Sequence, residues 1–522
     1  MSLPLSRKAI TRMQGIIVIV IVIIAAAGGL AYYATQPSSS TTSMTTESSM
    51  ISSMTAASSI SGVALGPPIK LALIPPLTGP AAETGKELQD AIMYTYNQLK
   101  ASGQIPVKVD GQYRDIQFIW LDSKSDPEEA VKAYTDAIVT QNVDILGWNW
   151  HSSVALALYT ISTKYGKIHF ADVGETQTLS LARAQDPNAS RYWFKAWASP
   201  PCYASLFAPA LSDITSAAGY TPASKTAAIL IEDTDYGRAI DAALTTALTN
   251  TGWTIAYHDV FSLSPPESDF TPFISKYMAN NVGLVYQVST GLPTFVAFFK
   301  QLHDAGYTGL KASFGIGFFS PSQWYPTLGS ASDGIISMDS NAVSTPAELQ
   351  FVQNFNQSLG YVPSAVVAGY WAHDLFSMLI AGLNQAGTMN VETLRSTLLG
   401  MDYQGTFMRI RFTTNPLPAN STLGCSLGPM EVIASPTYFH FPLQQWFNGT
   451  AHVVWPSNEA NAKWVPPMII KSVLSLLSLS SANAKWIPPM IIRPVLSLAS
   501  IIAPPILVMA NFVAPIITRV PI

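Results

Sequence analysis

Short apolar runs alternate with longer amphipathic stretches over most of the chain after Ile69. The short runs are rich in β-branched and aromatic residues, which is typical of buried strands. They form two series: IKLALIP, IQFIWLD, VDILGW and IHFADV, then TAAILIED, TIAYHDVF, GLVYQVS and LKASFGIG. Helical patterns lie between them; in residues 86–102, for example, Leu88, Ile92 and Tyr96 fall on one face. The alternation predicts parallel sheets flanked by helices.

The two series of strands divide the folded part into two halves. Each series is long enough for a doubly wound lobe with right-handed crossovers. Ligands of such sheets bind outside the carboxyl ends of the strands, and two facing lobes place those ends in a shared cleft. The sequence therefore predicts an α/β fold with two doubly wound lobes and a ligand site in the interlobe cleft.

The first strand leads into a glycine-containing turn and a helix, LALIPPLTGPAAETGKELQDAI, which invites comparison with a nucleotide-binding phosphate loop. That loop needs four residues between its first Gly and its Gly-Lys pair, followed by Ser or Thr. Here five residues separate Gly79 from Gly85, and Glu87 occupies the position of the hydroxyl. Because a carboxylate there would repel phosphate, the sequence argues against a nucleotide, and no cofactor is predicted.

The charge balance and the cysteines narrow the possible partners. Of 522 residues only 11% are charged, and 28 Lys and Arg face 32 Asp and Glu, so nucleic acid is not an expected partner. The two cysteines, Cys202 and Cys425, form no CxxC pair and no zinc-type cluster with histidine, so no metal site is predicted. They form one disulfide or remain two buried thiols; the sequence leaves both open.

Residues 1–36 predict a signal peptide or a membrane anchor. Arg7, Lys8 and Arg12 precede the uncharged stretch Ile16–Tyr33, which as a helix would cover about 27 Å, close to the hydrocarbon thickness of a bilayer. The positive flank keeps the N-terminus inside the cell. The segment RMQGII resembles the processing site of archaeal pilin-like signal peptides, so cleavage stays an alternative to anchoring.

Residues 37–65 predict a stalk, and residues 468–522 form a tail. The stalk is so rich in Ser and Thr that it cannot bury enough apolar surface to fold. The tail is apolar and rich in proline; residues 460–476 recur as residues 482–498, which indicates either a local duplication or a surface for a membrane or partner. Asn-x-Ser/Thr sites, which predict a glycoprotein, occur at Asn188, Asn356, Asn420 and Asn448.

Several motifs in a fixed order resemble the branched-chain amino acid-binding family of ABC importers. They are IPPLTGPAAETGKELQDAI, DSKSDPEEAV, GWNWHSSVALAL, ILIEDTDYGRAIDAAL and FKQLHDAGY. The likeness ends near QWFNGTAHVVWP and covers residues 69–467. It implies the type I periplasmic-binding-protein fold, closure of two lobes around a solute, and delivery of that solute to an ABC permease with its ATPase subunits.

The resemblance also implies that the chain crosses between the lobes three times. The crossings are expected near Ala198–Cys202, Asp339–Thr345 and Tyr403–Met408. The first lobe is then expected to comprise about residues 69–200 and 343–404, and the second about residues 201–342 and 405–467. Bending at these crossings would open and close the cleft.

The turn GWNWHSS is the strongest candidate for solute binding. Ser152 and Ser153 lie where a strand ends and a helix begins, so their hydroxyls and the backbone N–H groups can hold a carboxylate. The alternative is that Ser152 is only a helix cap. Trp148 and Trp150 either supply ring surface to the solute or pack beneath the turn.

The family places further contacts in the loops after other strands. By resemblance Gly174 offers backbone groups to the solute, and Glu175 takes the place of a hydroxyl in the same turn. Tyr236 of DTDYG is expected to face the solute across the cleft, unless it is a core tyrosine of its helix. Thr84 stands where the family often has an aromatic residue, and the stretch Ser289 to Leu292 lacks an expected tyrosine.

One departure from the family concerns the solute's amino group. The family has an acidic residue after the strand LKASFG, where this chain has Phe314. A buried ammonium without an anionic partner is costly. Either Glu175 takes over this role from the other lobe, or the solute is not an α-amino acid. His151 is expected to be a polar rim residue.

Together these patterns predict a solute receptor at the cell surface, outside the cytoplasm and anchored by its N-terminal segment, that captures an amino acid or a similar small polar solute for an ABC importer. A ligand sensor of the same fold, or a receptor for amides or short peptides, remains an alternative. An enzyme is not expected, because no nucleophile and base can be placed together in the cleft.

Overall fold

Strands and helices alternate from Ile69 onwards in a computed structural model that describes residues 64–339, 343–417 and 421–467. The strands are β1 (Ile69–Leu73), β2 (Val107–Val109), β3 (Gln112–Arg114), β4 (Ile116–Trp120), β5 (Ile145–Gly147), β6 (Ile168–Asp172), β7 (Trp193–Lys195), β8 (Thr226–Glu232), β9 (Thr254–Phe261), β10 (Leu284–Val288), β11 (Leu310–Phe314), β12 (Ile336–Ser337), β13 (Asp402–Gln404), β14 (Arg409–Arg411), β15 (Leu443–Phe447) and β16 (Thr450–Trp455).

The helices fill the intervals between the strands. They are α1 (Ala82–Ala101), α2 (Pro127–Val139), α3 (Ser152–Lys164), α4 (Gln177–Gln185), α5 (Pro200–Ala217), α6 (Asp235–Asn250), α7 (Thr271–Ala279), α8 (Leu292–Asp304), α9 (Pro321–Leu328), α10 (Pro346–Leu359), a π-helix (Ala365–Asp374), α11 (Leu375–Ala386) and α12 (Val391–Gly400). The predicted signal or anchor segment, the stalk up to residue 63, Asn420 and the tail after residue 467 lie outside the described residues.

The first sheet contains five parallel strands in the order β4-β1-β5-β6-β7. Its central strand is buried on both faces, because Leu71 and Leu73 of β1 join one hydrophobic core and Ala72 joins another. Such two-sided burial explains the near-continuous apolar runs that predicted these strands. This sheet and its helices form the first lobe.

The second sheet contains seven strands in the order β16-β15-β12-β11-β10-β8-β9. Strands β8 to β12 are parallel, whereas β15 and β16 add an antiparallel edge from the late part of the chain. This sheet and its helices form the second lobe. The predicted α/β fold with two doubly wound lobes is confirmed, and the antiparallel edge is an addition to it.

Over the residues that the structure describes, the chain passes between the two sheets three times. It enters the second lobe after β7, since α5 packs against α6. It returns after β12, where α10 packs on α1 through Phe355 and Tyr94, whose ring centroids are 5.1 Å apart. Val432 still pairs with β7 of the first sheet, whereas β15 belongs to the second sheet. The chain therefore passes to the second lobe again between Val432 and β15.

This third passage lies later than the expected crossing at Tyr403–Met408. The carboxylate of Asp374 accepts the backbone N–H groups of residues 406–408, each at 2.8 Å, and so holds the β13–β14 hairpin on the first lobe. Residues 405–417 and 421–432 therefore stay with the first lobe, and the expected boundary at residue 404 is wrong. The strand pattern alone did not show which lobe this hairpin joins.

The described residues between β14 and β15 form no helix or strand, and the part from Cys425 to Phe441 is called the late segment below. Cys425 forms a disulfide with Cys202 in the first turn of α5, which decides between the two alternatives for the cysteines. The backbone N–H of Val432 donates to the carbonyl of Lys195 in β7 at 2.9 Å. The late segment therefore extends the first sheet while it is bonded covalently to the second lobe.

One helical stretch of the described residues, Ala365–Ala386, is long and apolar enough to cross a membrane by length and composition. An 18-residue span within it has a mean hydropathy of 1.3 and is 89% buried inside the protein. The stretch consists of the π-helix and α11, and Gly369 lies so close to the ring of Phe407 that a Cβ there would approach it to 2.7 Å. This apolar stretch is therefore part of the core of the fold.

Three of the four predicted glycosylation sites fall within the described residues. Asn188, Asn356 and Asn448 are all exposed. Exposure allows glycan attachment at these positions, and their modification stays a prediction.

Glu87, which argued against a phosphate loop, is buried in α1. One of its carboxyl oxygens accepts the backbone N–H of Ser364, and the other has no partner among the described residues. Burial raises the pKa of Glu87 to about 8, although the Ser364 N–H opposes the rise; the charge of Asp90 adds to it. The folded protein therefore keeps this carboxyl protonated at neutral pH.

We expect the free energy of unfolding to fall as the pH rises from 4.5 to about 8, because the Glu87 carboxyl ionises in this window in the unfolded chain but not in the folded one. One pKa unit corresponds to about 1.4 kcal/mol, so Glu87 should contribute a loss of about 3 to 5 kcal/mol. Urea unfolding at several pH values should show that Glu87→Gln removes this part of the loss. Glu128→Gln, at an exposed position, should keep the parental pH dependence; the same dependence in Glu87→Gln would contradict the prediction.

Candidate functional site

A cavity lies between the carboxyl ends of the two sheets, where a doubly wound fold binds its ligands. Its empty volume, which is partly open to solvent, is about 290 Å³. The lining residues are Trp150, His151, Ser152, Val173, Glu175, Trp197, Tyr236, Thr290 and Phe318. None of them is Lys or Arg, so a solute meets aromatic rings, uncharged polar groups and a single acid.

Ser152 is the first residue of α3, and its hydroxyl organises the neighbouring loop. The hydroxyl oxygen accepts the backbone N–H groups of Glu175 and Thr176, at 3.0 and 3.1 Å. Its own proton remains available to a solute, because these two bonds use only the oxygen lone pairs. Ser152 thus supports the turn that carries Glu175 and also faces the cavity.

The turn after β6 is fixed from within by Asp172. This buried carboxylate accepts the N–H of Gly174 at 2.7 Å, the side-chain amide of Asn149 at 2.8 Å and the indole N–H of Trp193 at 2.6 Å. A Cβ at Gly174 would lie 2.5 Å from the Cβ of Ala155 in α3, which only glycine avoids. Backbone and side chains therefore hold the turn close to α3.

Glu175 is 7% exposed and is the acid of the cavity. The hydroxyl of Tyr203 in α5 donates to its Oε2. Burial raises the pKa of Glu175 to about 8; the Tyr203 bond and the charge of Lys195 oppose the rise, and Asp339 adds to it. The carboxyl is therefore mainly protonated at neutral pH, and a cation in the cavity would favour its ionised form.

Four polar groups at the cavity are buried without a hydrogen-bond partner among the described residues. They are the indole N–H groups of Trp150 and Trp197, the hydroxyl of Tyr236 and Nε2 of His151. Burial lowers the pKa of His151 to about 4, so its ring is neutral at neutral pH. The indole N–H of Trp197 makes no hydrogen bond of normal geometry, but it lies near enough to Glu175 to lower the pKa of that carboxyl. An unpaired buried group costs about 1 to 3 kcal/mol, and acceptor oxygens of a solute would pair these donors.

Phe318, in the short 3-10 helix after β11, lies among the other rings of the cavity. Its centroid is 5.1 Å from that of Trp150, 5.9 Å from that of Trp197 and 6.4 Å from that of Tyr236. These rings come from the first lobe, the first crossing and the second lobe. The aromatic lining therefore joins both lobes around one small space.

A model of the Periplasmic binding protein family matches residues 68–423. This match covers more than half of the chain. The chain belongs to the periplasmic binding protein family. The predicted type I periplasmic-binding-protein fold is confirmed, and family membership places the folded part outside the cytoplasm.

Solved structures of other periplasmic binding proteins share the fold at low sequence identity. A leucine-binding protein from Thermotoga maritima is 17% identical with a TM-score of 0.58, and the match covers 74% of this chain and 97% of that protein. A branched-chain amino acid-binding protein from Streptococcus pneumoniae in complex with isoleucine is 15% identical, with a TM-score of 0.57 and coverage of 74% and 97%. A solute-binding protein of an ABC transporter from R. palustris in complex with benzoate is 17% identical, with a TM-score of 0.58 and coverage of 74% and 95%.

Four of the predicted site residues of this periplasmic binding protein line the cavity. They are Trp150, Ser152, Glu175 and Tyr236. Each follows the carboxyl end of a strand, and the family resemblance had pointed to these positions among the turns. Ser153 is half-buried in α3 outside the lining, and Gly174 gives its N–H to Asp172 rather than to the cavity.

Trp148 and Ser289 have structural partners instead. The indole N–H of Trp148 donates to the carbonyl of Trp371 in the π-helix at 2.8 Å, so this ring packs beneath the turn. The hydroxyl of Ser289 lies 2.7 Å from that of Thr294 and 3.1 Å from the carbonyl of Gly291. Both side chains stabilise loops next to the cavity without lining it.

Phe314 and Thr84 also lie outside the lining. The ring of Phe314 packs against Tyr203 and Tyr286, with centroid distances of 5.4 and 5.2 Å, and so supports the tyrosine that holds Glu175. Thr84 is buried in the first turn of α1, and its hydroxyl has no partner among the described residues. The aromatic surface of the cavity comes from other positions.

Four lining residues were not predicted, and His151, which was expected at the rim, lines the cavity and is only 6% exposed. The missed residues are Val173, Trp197, Thr290 and Phe318. Thr290 is held by Glu232, which accepts its N–H at 2.6 Å and its hydroxyl at 2.8 Å. Thr290 and Val173 follow recognised strands and were within reach of the same rule, whereas Trp197 lies in a crossing without a pattern of its own.

Metal ligands do not cluster at the cavity. Within the part of the chain that the structure describes, no group of three or more His, Cys, Asp and Glu side chains is arranged to hold a metal ion. The chemistry of the cavity therefore rests on hydrogen-bond donors, aromatic rings and Glu175.

We expect Ser152→Ala to lower the stability of the folded protein by about 1 to 3 kcal/mol, because it leaves two buried backbone N–H groups without an acceptor. Thermal unfolding measures the loss. Ser153→Ala, at the next position of α3, is the matched control and should change stability by less than about 0.5 kcal/mol. Equal effects of the two substitutions would show that the Ser152 hydroxyl does not hold the turn.

Proposed function

We propose that this periplasmic binding protein captures an amino acid or a similar small polar solute in the interlobe cavity and holds it by closure of the two lobes. Residues from both lobes line the cavity, so a bound solute would join them.

The observation that carries this proposal is the combination of four unpartnered polar groups with one buried acid. Trp150, Trp197 and Tyr236 offer donors that match the oxygens of a carboxylate, and the neutral His151 ring can do the same. Glu175 offers an anionic partner for an ammonium group once it ionises. A zwitterion pairs with both sets once Glu175 ionises, whereas a lone carboxylate would pair with the same donors only while Glu175 stays protonated.

The proposed partners are an ABC permease and its ATPase subunits, with the membrane contacted through the apolar segment Ile16–Tyr33. Family membership supports an importer, because this family supplies the solute-binding subunits of such systems. A sensor of the same fold would pass on a signal instead of the solute. Permease and ATPase genes beside the gene for this chain would favour import.

Aromatic acids are a second candidate class of solute. The lining contains four aromatic rings, and two similar structures from R. palustris strains are solute-binding proteins in complex with benzoate and with 3,4-dihydroxybenzoic acid. Such a solute would use the same donors but would need Glu175 to stay protonated. Amides and short peptides differ from both classes because their acceptors are uncharged.

A thermal-shift screen of the protein against amino acids, benzoates, amides and short peptides tests the proposal. A ligand at a hundred times its dissociation constant stabilises the folded state by about 2.7 kcal/mol. Stabilisation by amino acids supports the main proposal, and stabilisation only by benzoates or only by amides would replace it with the corresponding class. No stabilisation by any member would contradict a small polar solute.

We expect Glu175→Gln to weaken the binding of amino acids by roughly 30-fold to several thousand-fold, because the ammonium would lose its only acidic partner in the lining. Isothermal titration calorimetry with the amino acid found in the screen measures this loss. Tyr236→Phe removes only a neutral donor and should cost about tenfold or less. Unchanged affinity in Glu175→Gln would exclude this role for Glu175.

The affinity for an amino acid should rise with pH by up to about tenfold per unit between pH 6 and 7.5, and level off above about 8. The reason is that the raised pKa of Glu175 keeps it protonated below about 8, and the ammonium needs the ionised form. Benzoate binding should show the opposite trend, since its carboxylate prefers the protonated acid. Calorimetry at four pH values measures both, and Glu175→Gln should abolish the slope.

A further inference from the structure

The late segment, Cys425 to Phe441, lies beyond the family match, which ends at residue 423. It is nevertheless built into the interior beside the cavity. Its Glu431 is fully buried with Lys195, whose Nζ lies 3.2 Å from Glu431 Oε1, and the Ser199 hydroxyl donates to the same oxygen at 2.9 Å. The disulfide between Cys425 and Cys202 of α5 fixes the beginning of the late segment.

Two rings of the late segment pack directly on residues of the site. Phe439 meets Trp197 edge to face, with centroids 4.9 Å apart. Phe441 stacks on Tyr203, with centroids 4.2 Å apart and planes inclined by 14°. Trp197 lines the cavity, and Tyr203 holds Glu175 by its hydroxyl. Phe439 therefore supports a residue that lines the cavity, and Phe441 supports a residue that is hydrogen-bonded to the lining residue Glu175.

We propose that the late segment is a specificity element of the cavity, in which Phe439 fixes the wall residue Trp197 and Phe441 fixes the Tyr203–Glu175 pair, so that the segment sets the size of the solute and the position of its acidic partner. The part concerning solute size rests on the proposed function. Phe439 and Phe441 act here as positioning residues, since neither lines the cavity.

Packing explains why these two rings can set the shape of the cavity. Trp197 is 2% exposed and contacts Phe439, Phe441 and Phe318. A close-packed ring cannot retreat unless a neighbour gives way, because protein interiors contain few voids. A smaller side chain at Phe439 would let the indole move away from the cavity and admit a larger solute.

The first test compares solutes of graded size, using glycine, alanine, valine, leucine and phenylalanine as probes in calorimetry. Phe439→Leu should shift the ratio of affinities towards the larger side chains by about fivefold to tenfold relative to the parent. Phe298→Leu is the matched control, because Phe298 is fully buried in the second lobe and packs on Phe270 and Phe299. It should lower stability and leave the ratio unchanged. An unchanged ratio in Phe439→Leu would overturn the role in solute size.

The second test needs no solute, so it decides even if the parent binds no amino acid and the proposed function fails. The fluorescence of Trp197 is obtained as the difference between the parent and Trp197→Phe. Measured against pH, it should change with a midpoint at the pKa of Glu175. Lys195, Tyr236 and Asp339 are the other titratable groups that face this carboxyl. Tyr203→Phe removes a donor to the carboxylate and should move the midpoint to higher pH.

Phe441→Leu should move that midpoint in the same direction as Tyr203→Phe, and combining the two substitutions should add nothing further. The double variant Cys202→Ser/Cys425→Ser should produce a smaller shift of the same sign. Phe298→Leu should leave the midpoint where it is. The proposal is overturned if Phe441→Leu does not move the midpoint, or if its effect adds fully to that of Tyr203→Phe.

Discussion

The buried ion pair between Lys195 and Glu431 is the interaction on which the rest of the site depends. Both side chains are fully buried, and removal of either partner would leave an uncompensated charge in the interior, which typically costs 3 to 5 kcal/mol, or about half the stability of a typical domain. The pair fixes the register between the end of β7 and the late part of the chain. Since Trp197 lies two residues after Lys195, the same register places the wall of the cavity. Arg183 adds to this arrangement by donating to the carbonyls of Trp193 and Pro429.

Buried acids recur throughout the protein, and they share a physical cause. Burial raises the pKa of Glu87, Glu175, Glu232, Asp339 and Asp374 to values between about 7 and 8. Most of these carboxyls accept backbone N–H groups and thereby organise a loop or a hairpin, as Asp374 does for β13 and β14. Glu175 differs because its carboxyl faces the cavity. The same desolvation that makes the others structural makes this one responsive to a charged solute.

Sequence patterns predicted those parts of the molecule that obey local rules. Two-sided burial forces apolar runs such as Ile69–Leu73. The carboxyl ends of parallel strands collect ligand contacts, and this rule together with the family resemblance pointed to Ser152, Glu175 and Tyr236. Trp197 was not predicted, because it lies in a crossing whose position depends on the ion pair between Lys195 and Glu431. These two residues are more than two hundred positions apart in the chain. The position of the last crossing, shortly before β15, was not predicted for a similar reason. The hydrogen bonds of Asp374 that keep the β13–β14 hairpin on the first lobe are tertiary contacts, which a local pattern does not show.

The disulfide between Cys202 and Cys425 has a consequence for the biogenesis of the protein. Its two cysteines are 223 residues apart in the chain. During vectorial export the first cysteine emerges long before the second, and the bond forms only in an oxidising compartment. Cys202 must therefore remain a free thiol until the 223 residues up to Cys425 have been exported. The correct pairing is protected by the scarcity of alternatives, because the chain contains no third cysteine with which either partner could form a wrong bond.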